Sequence, residues 1–180
     1  INKILKKINN NYFLTETNKE NLSFVYEISE KLNLRKNLMI KTAQKFKGLQ
    51  YRQQIIFKEK NLTIINDSKS TSFSSSIGVL KVNPNIYWLL GGIHKKGDKF
   101  NLPKKYFSKI KAFIYGRNTR FFNKKLNNKI KFKNFRNLDD ALKKILLITD
   151  KQKLMNKTIL FSPCAASFDR YKNWRNYRIC

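Results

Sequence analysis

Cysteine, histidine, proline and glycine are all scarce in this chain: two Cys, one His, three Pro and six Gly among 180 residues. Cys164 and Cys180 form neither a metal-binding spacing nor a redox pair. Two cysteines do not staple a domain of this size, so a reducing cytoplasm is the expected setting. No Ser-His-Asp set, paired acids or metal cluster is visible, which argues against chemistry confined to this chain. No apolar run approaches the roughly 18 residues of a membrane helix, so no membrane partner is expected. The start, Ile1-Asn2-Lys3-Ile4, has no initiator Met and no signal-peptide pattern, and reads as a cut made inside a longer protein.

Acidic residues are the other shortage. Eleven Asp and Glu face 39 Lys and Arg, for a formal net charge of +28. Such a chain invites a nucleic-acid or anionic-membrane reading. The basic residues are mostly Lys, however, and run from Lys3 to Lys172 interleaved with Asn and Ile. That is a chain-wide bias rather than a patch of arginines and aromatic readers, and it favours a solvated Lys-rich surface. A hydrophobic content of 41% and an aromatic content of 13% fit a packed globular chain, long enough for one domain and a short appendage.

Residues 1–15 are polar and Asn-rich without a clear period. Leu22, Phe24, Val25, Ile28 and Leu32 then recur at helical spacing, which predicts a helix over Glu20 to Leu32 with Asn21 at its start. A second short helix is expected from Asn37 to Phe46, stopped by Gly48. Beyond Gly48, strands are expected at Ile55–Phe57, Leu62–Ile65, Ile86–Leu90, Ala112–Tyr115, Ile130–Phe132 and Thr158–Phe161. Helices are expected between them at Ser72–Leu80, Pro103–Ile110 and Leu138–Ile148, and after them at Ser167–Trp174. Asp139-Asp140 fall in the first turn of Leu138–Ile148, where the helix dipole favours anions. Alternating strands and helices predict an α/β domain with a mostly parallel sheet. The close pair flanking Lys60-Asn61 predicts a hairpin, hence an antiparallel edge.

Three of these strands run directly into unusual polar or glycine segments: Asn66-Asp67-Ser68-Lys69-Ser70-Thr71, Gly91-Gly92-Ile93-His94-Lys95-Lys96-Gly97-Asp98, and Ser162-Pro163-Cys164-Ala165-Ala166-Ser167. If the strands are parallel, all three loops leave the carboxyl edge of the sheet, where open α/β sheets bind ligands. Lys69 and Lys95 offer point positive charge, and Ser68, Thr71 and Ser167 offer hydroxyls. Gly91-Gly92 lets backbone approach closely, and Ser167 stands where a helix would present free N–H groups. Together these favour an anion with carboxylates or phosphates. Each feature alone has a plainer account: the glycines as a turn, His94 as an exposed loop residue, Asp67 as a helix cap.

These segments resemble the Mur ligase family. Phe46-Lys47-Gly48-Leu49-Gln50-Tyr51-Arg52 resembles its F-x-G-L-x-H-R, Asn66–Thr71 its N-D-S-K-A-T, and Leu89-Leu90-Gly91-Gly92 with Lys95 and Asp98 its L-G-G-x-x-K-x-x-D. Residues Ser162 to Trp174 are similar to the S-P-A-x-A-S-x-D-x-F-K-N-F of the D-glutamate-adding members. Asn18-Lys19-Glu20-Asn21 looks like the N-x-x-N of the central ATPase domain. The resemblance implies a Rossmann-like C-terminal ligase domain over 46–180, shortened at its end, after a helical remnant of the ATP-binding domain over 1–45. It further implies an ATP-dependent ligase of peptidoglycan synthesis that joins D-glutamate to UDP-N-acetylmuramoyl-L-alanine. There ATP phosphorylates the substrate carboxylate and the D-glutamate amine attacks the acyl phosphate. By motif position Lys95, Thr71, Ser167, Phe168 and Trp174 would hold D-glutamate, and Lys69 would act near the reacting phosphate. Arg52, Asp67, Asn18 and Asn21 would contact ATP, while the ligands for Mg2+ would lie outside this chain.

The chain departs from the family pattern at Thr17 and Tyr51, which stand where the family has His, and after Trp174, where F-E-x-R-G does not continue. No G-x-x-G-K-[ST] loop and no UDP-binding segment is present, so the chain alone is expected to be inactive. Three other readings compete: the C-terminal domain of another Mur or folylpolyglutamate-type ligase, a basic nucleic-acid-binding module, and an inactive remnant. Acceptor choice separates the first, a salt-sensitive shift with oligonucleotides tests the second, and the reading frame upstream of Ile1 tests the third.

Overall fold

The computed structural model describes residues 7–152 and 155–165. The chain divides into two compact units, the first ending at Leu49 and the second beginning at Gln50.

The first unit is helical. Asn10 accepts from the Tyr12 N–H and opens a 3-10 turn over Asn11–Leu14. Its amide also donates to the carbonyls of Ala43 at 2.9 Å and Phe46 at 2.8 Å, tying the two ends of the unit together. Helix α1 spans Glu16–Lys31, with Thr15 as N-cap accepting from the Asn18 N–H. It therefore starts before Asn21, which lies inside the helix, because the Thr15 hydroxyl satisfies a first-turn N–H. Helix α2 spans Lys36–Lys45. Gly48 follows at φ +81°, and a Cβ there would meet the Tyr12 ring at 2.7 Å.

The stripe expected to bury α1 is largely exposed: Phe24 is 69% exposed, Ile28 57% and Leu32 64%. Leu22 is buried, but its companions on the inner face are Asn18, Tyr26 and Ser29. Leu22 and Tyr26 pack with Ile8, Ala43, Met39 and Ile40. Hydrophobicity selects a face only when a partner element is there to cover it.

The second unit is a six-stranded sheet in the order β1-β2-β6-β3-β4-β5. The strands are β1 (Gln54–Glu59), β2 (Leu62–Asn66), β3 (Ile86–Gly91), β4 (Ile110–Tyr115), β5 (Lys131–Phe135) and β6 (Lys157–Phe161). β1 and β2 pair antiparallel, and every other neighbouring pair is parallel. The unit is thus α/β with a mostly parallel sheet and an antiparallel edge. All six strands overlap the expected runs, although β5 shares only Lys131 and Phe132 with the run expected at Ile130–Phe132 and continues to Phe135. β3 is buried throughout, as a strand covered on both faces must be. Its alternate residues serve two cores. Ile86, Trp88 and Leu90 face helices α3 (Phe73–Val82) and α4 (Thr119–Leu126), whereas Tyr87 and Leu89 face α5 (Leu138–Asp150). At the edge β5 exposes Lys131 and Lys133, charges that discourage pairing with another sheet.

The segment expected as a helix over Pro103–Ile110 is a 3-10 helix, Lys104–Lys109. Helix α4 had no counterpart in the sequence reading. It is short, and only Phe122 and Leu126, one turn apart, are buried on it. The helix expected over Ser167–Trp174 lies outside the described residues. Among the described residues no helix is long and apolar enough to cross a membrane.

Candidate functional site

Because β2, β6 and β3 are adjacent and parallel, the loops that follow them leave one edge of the sheet together. Backbone bonds continue the ladder past the strands and lock the three loops to one another. The Asp67 N–H donates to the Phe161 carbonyl at 2.7 Å, the Ser162 N–H to Leu89 at 3.1 Å, and the Gly91 N–H to Pro163 at 3.1 Å. Gly91, at φ +155°, sits so close to β4 that a Cβ would meet the Tyr115 carbonyl oxygen at 2.2 Å. Here the strand-end glycine is a steric requirement rather than a turn preference.

Asp67 is the centre of this edge. It is 5% exposed. Its Oδ1 accepts from the Gln53 N–H at 3.0 Å and its Oδ2 from the Ser162 hydroxyl at 2.8 Å. Burial pushes its carboxyl up to about 6, against the opposing pull of the Ser162 hydroxyl, the Gln53 N–H and the nearby Arg52 cation. Asp67 does not cap α3. That role falls to Ser72, whose hydroxyl accepts from the Ser75 N–H, and to Asp98, whose Oδ2 accepts from the Phe73 N–H at 2.7 Å. Asp98 so anchors the end of the glycine loop on the helix that follows the Asn66–Thr71 loop.

A tight turn at residues 51–53 brings Arg52 to the same edge. Tyr51 and Gln53 are both in the left-handed region, at φ +64° and +48°. The turn is held by the Tyr51 N–H donating to the Gln54 side chain at 3.1 Å and by the Lys69 N–H donating to the Tyr51 carbonyl at 3.1 Å. Arg52, Asp67 and Lys69 are thereby joined through backbone and charge. Lys69 is half-buried, while Thr71 and Lys95 are exposed on the loops of this edge. His94 is not a free loop residue, since its ring stacks on Phe121 with centroids 3.7 Å apart. Ser167, Phe168 and Trp174 lie outside the described residues. Asn18 and Asn21 belong to the first unit. Asn18 is buried with its amide donating to the Tyr12 carbonyl at 2.6 Å, and Asn21 is exposed beside an apolar groove of about 510 Å3.

The sequence reading missed Gln53, Ser76 and the part played by Ser162. Ser76 is fully buried and touches both Ser162 and Cys164. Partners 86 to 95 positions apart leave no spacing signal in a sequence. Burial also pushes the Cys164 thiol well above its ordinary range.

No family model matches the chain. Curated relatives do. It is 34% identical over 158 residues to the UDP-N-acetylmuramoylalanine–D-glutamate ligase of Wolbachia pipientis wMel, covering 88% of this chain and 31% of that protein. The ligase of that name from Rickettsia felis is 33% identical, with 87% and 35% covered. That from Francisella tularensis subsp. tularensis is 34% identical, with 88% and 38% covered. In fold the chain is similar to the UDP-N-acetylmuramate–alanine ligase of Thermotoga maritima, with a TM-score of 0.54, 15% identity, and 84% and 35% of the two chains covered. It is likewise similar to the murein peptide ligase of Psychrobacter arcticus, with a TM-score of 0.50, 11% identity, and 82% and 34% covered. The chain thus spans about a third of the length of the curated relatives it matches. Across nearly nine-tenths of its residues the chain is similar in sequence to D-glutamate ligases of the Mur type, and its fold is similar to that of two solved ligases.

Proposed function

We propose that this chain is the part of an ATP-dependent ligase that receives D-glutamate, for addition to UDP-N-acetylmuramoyl-L-alanine in peptidoglycan synthesis. The observation that carries the reading is its identity of about a third with D-glutamate ligases over 88% of its residues. The meeting of the Asp67, Lys95 and Ser162 loops at one sheet edge supports it.

Lys95 and Thr71, with Ser167, Phe168 and Trp174 further along, hold D-glutamate in this reading, and Lys69 acts beside the phosphate. Two lysines suit a dicarboxylate, since charge-assisted contacts are the stronger ones. Arg52 and Asp67 contact the nucleotide in this reading, and Asn18 and Asn21, in the first unit, are assigned to it by their motif alone. An exposed guanidinium near a carboxylate is suited to phosphate or ribose oxygens. ATP supplies the phosphoryl group that activates the substrate carboxylate. Among the described residues no group of three or more His, Cys, Asp or Glu is placed to hold a metal ion. In this reading the ligands for Mg2+ belong to the remainder of a longer ligase.

The test is Lys95→Ala in a chimera where this chain replaces the matching segment of the Wolbachia pipientis ligase. Loss of one charge-assisted contact, worth about 1.5–3 kcal/mol, raises the KM for D-glutamate roughly ten- to a hundredfold and leaves that for ATP nearly unchanged. An equal rise for both substrates removes Lys95 from the role.

A further inference from the structure

Behind the sheet edge lies a chain of hydroxyls sealed from water. The Ser162 hydroxyl donates to Asp67 Oδ2 at 2.8 Å. Ser76 Oγ lies 2.5 Å from Ser162 Oγ, Ser70 Oγ lies 2.8 Å from Ser76 Oγ, and Cys164 Sγ lies 3.0 Å from Ser76 Oγ. Ser76, Ser162 and Cys164 are all 0% exposed, and Ser70 is 2% exposed. The Trp88 indole N–H donates to the Ser162 carbonyl at 2.9 Å and holds that backbone in place.

Counting protons sets a direction. An ionised carboxylate only accepts, so the one Ser162 proton points at Asp67. Ser162 Oγ must then accept from Ser76, whose single proton is used there. Ser76 Oγ is left with acceptor sites alone for its other neighbours, so any bond it shares with Ser70 or the Cys164 thiol is one it accepts; the Ser70 hydroxyl also reaches Ser75 Oγ at 2.7 Å, and the Cys164 thiol the Ser162 carbonyl at 3.5 Å. If Asp67 is protonated and donates to Ser162, the order reverses: Ser162 donates to Ser76, and Ser76 turns its proton toward Ser70 or the Cys164 sulfur.

We infer that Ser76 is a positioning residue for Asp67, and that the Ser70–Ser76–Ser162 hydroxyls form a one-directional chain whose orientation is set by the charge on that carboxylate. Its members come from the loops after β2 and β6 and from α3, so the chain couples a charge at the sheet edge to a thiol and a serine loop that the carboxylate does not hydrogen-bond. Hydrogen bonds in series polarise one another, which makes the middle member matter beyond its own contacts. The charged and titratable groups acting on the chain are Arg52, beside Asp67, and Asp98, which with Asp67 acts on Cys164. The inference rests on hydrogen-bond geometry and is independent of which ligand the edge receives.

The experiment uses the 180-residue chain with Cys180→Ser, so that Cys164 is the one thiol. Its S–H stretching band is followed by Raman spectroscopy while the Asp67 carboxyl carbon is followed by NMR, through the midpoint near pH 6. The S–H band shifts with the midpoint of Asp67. In Ser76→Ala that shift is lost although Asp67 still titrates. A band that stays still while Asp67 titrates overturns the inference, as does one that moves as far in Ser76→Ala as in the parent. Should Ser76→Ala fail to fold, Asp67→Asn decides. Its amide donates to Ser162, so the S–H band sits at the acid position of the parent at every pH, and a band at the alkaline position overturns the proposal.

Discussion

At the scale of single residues, Asp67 and Gly91 show how much one buried group can set. The folded carboxyl of Asp67 titrates at about 6, above its ordinary 3.8, because burial disfavours the charge. A raised carboxyl means the native state holds its proton over a range where the unfolded chain has released it. Stability from this group is therefore complete below about pH 3.8 and is lost as pH rises through about 6. The gap corresponds to about 3 kcal/mol at most. Parent and Asp67→Asn chains unfolded in urea between those limits will diverge, the parent losing stability relative to the variant as pH rises; parallel curves would show that Asp67 is not strained by burial. Gly91→Ala tests sterics instead of charge. Its Cβ has a carbonyl oxygen at 2.2 Å and a backbone at φ +155°. We expect a loss of about 2–4 kcal/mol in urea unfolding, or no folded protein.

Among the elements, α3 depends most on a residue far from it in sequence. Its first N–H groups are satisfied by Ser72 from the adjoining loop and by Asp98 from the glycine loop. Asp98→Ala leaves the Phe73 N–H without that partner and removes an anion from the positive end of the helix. The expected cost is about 1–2 kcal/mol, read as a lower urea midpoint, with faster amide exchange confined to the first turn of α3. Uniform change across the sheet would mean that Asp98 supports the whole unit rather than this terminus. Most strands were legible in the sequence because they contain an apolar run bounded by polar residues, as at Ile86–Leu90 and Thr158–Phe161; β5, with Lys131, Lys133 and Asn134, is the exception. Helix α4 was not, since Phe122 and Leu126 are too few to establish a period. Helix α1 misled for the opposite reason: it carries two candidate faces, and the richer one, with Phe24 and Ile28, is the exposed one.

For the molecule as a whole, the two units contain the sheet-edge loops and a helical segment; the sequence shows no phosphate-loop motif, and among the described residues no group of three or more His, Cys, Asp or Glu is placed to hold a metal ion. The purified chain, given ATP, Mg2+, D-glutamate and UDP-N-acetylmuramoyl-L-alanine, should release no phosphate above background; sustained turnover would show that the catalytic set is complete within it. Much of this was legible in the residues alone. Alternation of short apolar runs with helical segments is enforced by local burial, so it determined the α/β class, the hairpin at Lys60-Asn61 and the three polar loops that follow strands. The family resemblance likewise rests on short contiguous motifs. The tertiary structure decided the rest: that β6 inserts between β2 and β3, that Asp67 is buried against Ser162, and that Ser76 joins Ser70 to Cys164. Those pairings depend on which strands lie side by side, an outcome of packing summed over the whole sheet, and no local pattern of residues carries it.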